Sequence, residues 1–151
     1  MKIAVDDLSG PEIAAFLEAH VLEMRSVTPL ESKHALDLDG LRRPEVTFWS
    51  MTDDGTLVGC GALKRLDAGH AEIKSMRTDP ARKRGGVASR LLDHIISEAR
   101  QAGYERLSLE TGSTEFFAPA RALYTKFGFE PCAPFAEYKE DPNSAFMTRL
   151  L

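Results

Sequence analysis

Two glycines, Gly85 and Gly86, stand directly before the most regular amphipathic pattern in the chain and directly after the basic run Arg82-Lys83-Arg84. Val87, Leu91, Leu92, Ile95, Ile96 and Ala99 recur at three- and four-residue steps. That spacing predicts a helix from Gly86 to about Gln101 with one buried stripe, closed by Gly103. A helix start carries unpaired N–H groups and the positive end of the dipole, and glycines let a ligand approach the backbone closely. The stretch therefore reads as an anion-binding helix entry. Taken alone, it reads equally well as a solvated basic turn. A dinucleotide loop is disfavoured because Gly-x-Gly-x-x-Gly is missing, and a nucleotide-triphosphate loop because no Gly-Lys-Ser/Thr ending follows.

What precedes the helix is strand-like. Val46–Thr52 alternates, Asp53-Asp54-Gly55 is a turn, and Thr56–Leu66 is the return strand. Asp67-Ala68-Gly69 is a second turn before His70–Thr78, so the three runs predict an antiparallel meander. Upstream, Lys2–Asp6 reads as a strand and a helix begins at Pro11, with Ile13, Phe16, Leu17, His20, Val21 and Met24 at helical spacing. Thr28-Pro29 interrupts it, and Ser32–Leu41 reads as a second short helix. Downstream come a strand at Tyr104–Thr111, a helix at Phe117–Phe127 closed by Gly128, and strands at Phe129–Cys132 and Ala145–Leu151. This order predicts one α/β (α+β) domain over residues 1–151 on a mostly antiparallel sheet.

Composition narrows the function. The chain has 151 residues, 43% of them hydrophobic, enough for a core without staples. Its net charge of −4 argues against a general nucleic-acid binder. Cys60 and Cys132 have no metal-ligand or Cys-x-x-Cys spacing and read as free thiols in a reducing compartment, with no metal expected. No signal-peptide pattern and no membrane-length apolar run is visible, so a cytoplasmic location without membrane association is expected.

Lys83-x-x-Gly86-x-Ala88 resembles the Gln/Arg-x-x-Gly-x-Gly/Ala signature of the GNAT (Gcn5-related N-acetyltransferase) superfamily, with lysine at the first position. Ala120-x-x-Leu123-Tyr124-x-x-x-Gly128-Phe129 is similar to the family's late helix and following strand, and the element order matches across nearly the whole chain. Ser32-x-His34-Ala35-Leu36-Asp37 and Glu140-Asp141-Pro142-Asn143-Ser144 resemble features of the bacterial YsnE-like branch. The resemblance implies a GNAT-type sheet of about six to seven strands flanked by about four helices. It also implies acetyl-CoA as co-substrate. The pyrophosphate would be held by Lys83 and the amides of Arg84, Gly85, Gly86, Val87, Ala88 and Ser89, and the pantetheine arm by the backbone of Met76, Arg77 and Thr78. The Met76 amide would double as oxyanion donor.

Acylation of an amine needs a base, an oxyanion donor and an acid for the leaving thiolate. By resemblance, Tyr124 takes the acid role, although its position between Leu123 and Phe127 also suits a core aromatic. Glu72 is the candidate base, and reads equally well as a solvent-facing strand carboxylate; Glu110 is its competitor, placed by alternation opposite Leu109 and on the face of Ser108. The family's frequent late-helix asparagine is replaced by Phe117, with Pro119 behind it. Arg25, Glu31, His34, Trp49, Phe135 and Tyr138 are candidates for acceptor choice by resemblance to the family, although His34 also suits a surface or capping position and Trp49 the core; Arg25 or Arg77 could grip a carboxylate, and a surface ion pair explains either equally well. The expected activity is transfer of acetyl from acetyl-CoA to a primary amine of a small molecule, by direct attack in a ternary complex. The alternatives are a peptide or protein acetyltransferase and a non-catalytic acyl-CoA sensor. A homodimer is compatible with this class.

Overall fold

The computed structural model describes residues 1–27, 38–82 and 85–151, with the side chains of 24–27 excepted. The elements run β1 (Lys2–Val5), α1 (Pro11–Val27), α2 (Leu38–Leu41), β2 (Val46–Asp53), β3 (Thr56–Arg65), β4 (His70–Thr78), α3 (Val87–Gln101), β5 (Arg106–Gly112), α4 (Ala118–Lys126), β6 (Glu130–Pro131) and β7 (Ser144–Leu150). Short 3-10 turns, Pro80–Arg82 and Glu115–Phe117, precede α3 and α4. The seven strands form one sheet in the order β1-β2-β3-β4-β5-β7-β6. The meander of β2, β3 and β4 pairs antiparallel as the turns predict, and β4 with β5 is the single parallel pair among the described strands. That pairing follows from α3, because parallel neighbours need a crossover element.

Alternation along the strands divides the core between the two faces. Trp49, Leu63, Ile73, Leu107, Leu109 and Met147 face α3 and α4, where Leu92, Ile95, Ile96, Tyr124 and Phe129 complete one cluster. Phe48, Cys60 and Ala62 face the other way, against Ile13 and Leu17 of α1 and Leu41 of α2. The predicted stripe of α3 is the buried one, and each such Leu or Ile contributes about 1.5–3 kcal/mol of burial. Gly59 and Gly61 of β3 allow α3 to sit close. A Cβ at Gly59 would come within 2.7 Å of Val87, and one at Gly61 within 2.8 Å of Ile95 and 2.7 Å of the Met76 sulfur.

Several expected boundaries shift. The α3 helix begins at Val87, with Gly86 as its N-cap in the left-handed region at φ 84°. The late helix is preceded by a 3-10 turn that already contains Phe117, and the strand expected at Phe129–Cys132 shortens to Glu130–Pro131. Of the helix expected at Ser32–Leu41, only Leu38–Leu41 falls among the described residues. Glu31, His34, Lys83 and Arg84 lie outside them.

Candidate functional site

The parallel pair of strands forks. β4 and β5 are in register from His70↔Arg106 to Ile73↔Leu109, and beyond that point no ladder joins them. The cause is a bulge. The β3–β4 register shifts between Cys60 and Ala62, with Ser75 at φ 56° and the Cys60 thiol donating to the Ser75 carbonyl at 3.3 Å. Such bulges bend the strand that carries them. From Lys74 to Thr78 the β4 edge that would face β5 is thus available to another extended chain.

A cavity of about 470 Å³ lies against this unpaired end of β4. Met76, Arg77 and Thr78 form one wall, and Gly86, Val87, Ala88 and Ser89 at the start of α3 form its mouth. Phe116, Phe117, Pro119, Ala120, Leu123 and Tyr124 form the opposite wall. The first backbone bond after the loop runs from the Arg90 N–H to the Gly86 carbonyl at 3.1 Å, so the amides of Val87, Ala88 and Ser89 precede the helical ladder. Arg82 stands at the same mouth, paired with Asp53 at 2.7 Å, and that guanidinium holds the Asp53 carboxyl below its usual range.

Tyr124 brings a phenol to the far wall. Its ring is 7% exposed and edge-on to Phe129 at 5.8 Å, and burial with the nearby Glu110 charge pushes its pKa up, so the hydroxyl keeps its proton at neutral pH. Phe117 lies across Gly112, a contact that only a glycine permits, and it occupies the cavity wall as an apolar residue. Sequence pattern gave no sign of that contact.

The two candidate carboxylates stand in different surroundings. Glu72 is 3% exposed, and its Oε2 accepts from the Tyr138 hydroxyl at 2.5 Å and from Lys74 Nζ at 3.1 Å. Lys74 also donates to the Tyr138 oxygen at 2.9 Å. Burial and the Glu72 charge raise the Tyr138 pKa strongly, which keeps the phenol a donor. Glu110 follows Leu109, the last residue paired with β4, on the strand face of Ser108. Burial pushes its carboxyl up to about 7, with Glu72 and Asp141 adding to the rise and Lys74 and Ser144 opposing it. Next to it a polar chain crosses three strands: His70 Nε2 to the Ser108 hydroxyl at 2.7 Å, and Ser108 to Thr148 at 2.9 Å.

The remaining sequence candidates separate. Phe135 and Tyr138 stack edge-on at 5.1 Å and, with Phe146, bring the segment before β7 onto the sheet beside Glu72. Trp49 is 4% exposed in the α3 core, edge-on to His94, and does not reach the site. His20 and Glu23 of α1 line the cavity beside Arg77, though helical spacing marked His20 only as part of a buried stripe and gave Glu23 no role. Both cysteines are unbridged, and burial pushes the Cys60 thiol up to about 12, which makes it inert. Among the described residues no cluster of His, Cys, Asp and Glu could hold a metal, and no helix is long and apolar enough to cross a membrane.

An extended cleft with a free strand edge along one side and helix-start amides at its mouth suits a long ligand ending in phosphates. The fold and this cleft define a CoA-dependent acyltransferase.

The model of the acetyltransferase (GNAT) family matches residues 13–129. The uncharacterized N-acetyltransferase YsnE of Bacillus subtilis (strain 168) is 56% identical over 151 residues, covering 100% of both chains. The uncharacterized N-acetyltransferase YedL of Escherichia coli (strain K12) is 48% identical over 149 residues, 99% of this chain and 94% of the other. The crystal structure of a Klebsiella pneumoniae protein described as an acyl-CoA N-acyltransferase superposes with a TM-score of 0.81 at 28% identity, covering 99% of this chain and 97% of that one. The chain belongs to the GNAT family and is an acyl-CoA-dependent N-acetyltransferase.

Proposed function

We propose that this enzyme transfers an acetyl group from acetyl-CoA to the primary amine of a small molecule, by direct attack with both substrates bound. One observation carries the reading: a single cavity is lined by the first turn of α3 and by Tyr124, the phosphate-holding and proton-donating groups such a reaction needs. When bound, acetyl-CoA supplies an acyl group activated as a thioester. The amides of Gly86, Val87, Ala88 and Ser89 would hold its pyrophosphate, with Lys83 and Arg84 adding charge, while the Gly85 N–H, expected to join them, instead donates to the Arg82 carbonyl at 3.1 Å; the edge of Met76, Arg77 and Thr78 would orient the arm. The Met76 amide would polarise the acyl oxygen.

The base in this reading is Glu110 rather than Glu72. Glu72 is the sequence-level choice, but one of its oxygens already takes two hydrogen bonds and the group is almost wholly buried. Glu110 has a pKa of about 7, near the value that serves a base at neutral pH, and lies within electrostatic reach of Tyr124. The amine nitrogen forms the new C–N bond as the C–S bond breaks. Glu110 takes one proton from the nitrogen, directly or through water, and Tyr124 gives one to the departing sulfur. Glu72, with Lys74 and Tyr138, then positions the segment before β7.

Incubation with acetyl-CoA and a panel of small amines, reading thiol release and the mass of the N-acetyl product, tests the reading. Thiol release with product mass on at least one amine is the expected result. No product from any amine, with acetyl-CoA still bound by calorimetry, would leave the sensor alternative in its place.

A further inference from the structure

Arg77 is a cation taken out of water whose ion pair with Glu23 is long and whose Nε goes unmet among the described residues. Its side chain is 7% exposed, and its guanidinium lies over the Phe16 ring at 5.1 Å. Its contacts to α1 are long: NH1 to Glu23 Oε1 at 3.5 Å and to His20 Nδ1 at 3.4 Å. Its Nε is buried and meets no hydrogen-bond partner among the described residues. A guanidinium offers five N–H donors in a rigid fork, and leaving a buried one unmet costs about 1–3 kcal/mol. Yet this side chain lines the cavity, between the α1 residues His20 and Glu23 and the fork in which the acyl group would lie.

We propose that Arg77 is the acceptor-recognition residue, and that the acceptor is a small amine that also carries a carboxylate, an amino acid or a compound built like one. This inference rests on the acyl-transfer reading above. A carboxylate is planar and takes two parallel N–H bonds from a guanidinium, here from Nε and one terminal nitrogen, which a simple amine cannot do. The Phe16 face holds the guanidinium plane, so little freedom is lost on pairing. Glu23 is a third exposed and its contact is at the outer limit of a hydrogen bond, so it can yield to an incoming carboxylate. The arrangement keeps the α-, β- or ω-carboxylate at the α1 side and leaves the amine to reach toward β5.

Paired acceptors provide the test: amino carboxylates of increasing length, each beside its carboxamide. With wild-type enzyme, carboxylates should have a KM about 10- to 100-fold below that of the amides, the size of a charge-assisted hydrogen bond. Arg77→Gln should raise KM for the carboxylates by that factor while leaving the carboxamides and the KM of acetyl-CoA nearly unchanged. Glu23→Gln, which keeps the guanidinium, should leave carboxylate KM equal or lower. Turnover that ignores the carboxylate overturns this inference alone. So does an Arg77→Gln variant that weakens acetyl-CoA instead, which would assign the cation to the cofactor's phosphates, or a Glu23→Gln variant that behaves like Arg77→Gln, which would make the pair structural. No turnover with any amine overturns the acyl-transfer reading and takes this inference with it.

Discussion

Replacing Glu110 by glutamine tests the proton path most directly. The substitution keeps shape and removes the charge. A carboxyl that titrates at about 7 when folded and at 4.5 when unfolded holds its proton longer in the folded state. Between those pH values the unfolded chain binds fewer protons, so stability falls as pH rises through the window, and the whole cost is present above pH 7. At about 1.4 kcal/mol per pH unit the displacement is worth at most about 3.5 kcal/mol, and partial solvent access lowers it. Two results are expected. The wild-type kcat/KM should rise with pH to a plateau above about 7, and Glu110→Gln should lower that plateau about 10²- to 10⁴-fold, the range of general-base catalysis. In thermal melts, wild type should lose stability from pH 5 to pH 8, while the variant should lose less and be the more stable protein at pH 8. The readouts are initial rates of thiol release and denaturant midpoints at matched pH. A variant with wild-type kcat/KM and an unchanged pH limb would refute Glu110 as the base. An inactive variant that still loses stability with pH like wild type would place the raised carboxyl elsewhere.

Three other perturbations follow from the geometry. Tyr124→Phe removes only a hydroxyl, so kcat should fall about 10²-fold while acetyl-CoA affinity by calorimetry is kept; an unchanged kcat would leave Tyr124 as a wall of the cavity. Gly86→Ala meets no steric neighbour but must hold φ 84°, so it should cost about 1–2 kcal/mol in denaturant unfolding and weaken acetyl-CoA binding with it. Tyr138→Phe takes one donor from the buried Glu72 carboxylate and an acceptor from Lys74, and a loss of about 1–3 kcal/mol in the same assay is expected.

The elements were legible in the sequence because each is written in local periodicity. The three-strand meander, the stripe of α3 and the glycine that caps it depend on residues within a few positions of one another. The left-handed Gly86 belongs to the same class, since a backbone that must turn tightly before a helix leaves few choices of residue. The resemblance carried by Lys83, Gly86 and Ala88 added the family, which the full-length relatives bear out.

Tertiary structure decided what no local pattern records. The β4–β5 pairing ends at Ile73, just before the bulge at Ser75, and Gly61 on the neighbouring strand leaves room there for Met76 and Ile95. The contrast between Glu72 and Glu110 is a matter of surroundings. In sequence the two are competitors for one role, yet a tyrosine 66 residues away ties one down and burial leaves the other near neutrality. Sequence left Arg77 open between a carboxylate grip and a surface ion pair; the fold buries it, with Phe16 beneath it and a cavity before it. Local spacing fixes secondary structure because its interactions are short in the chain. A side chain's charge state and partner are fixed by long-range packing, which determines how much water and which opposing groups it meets.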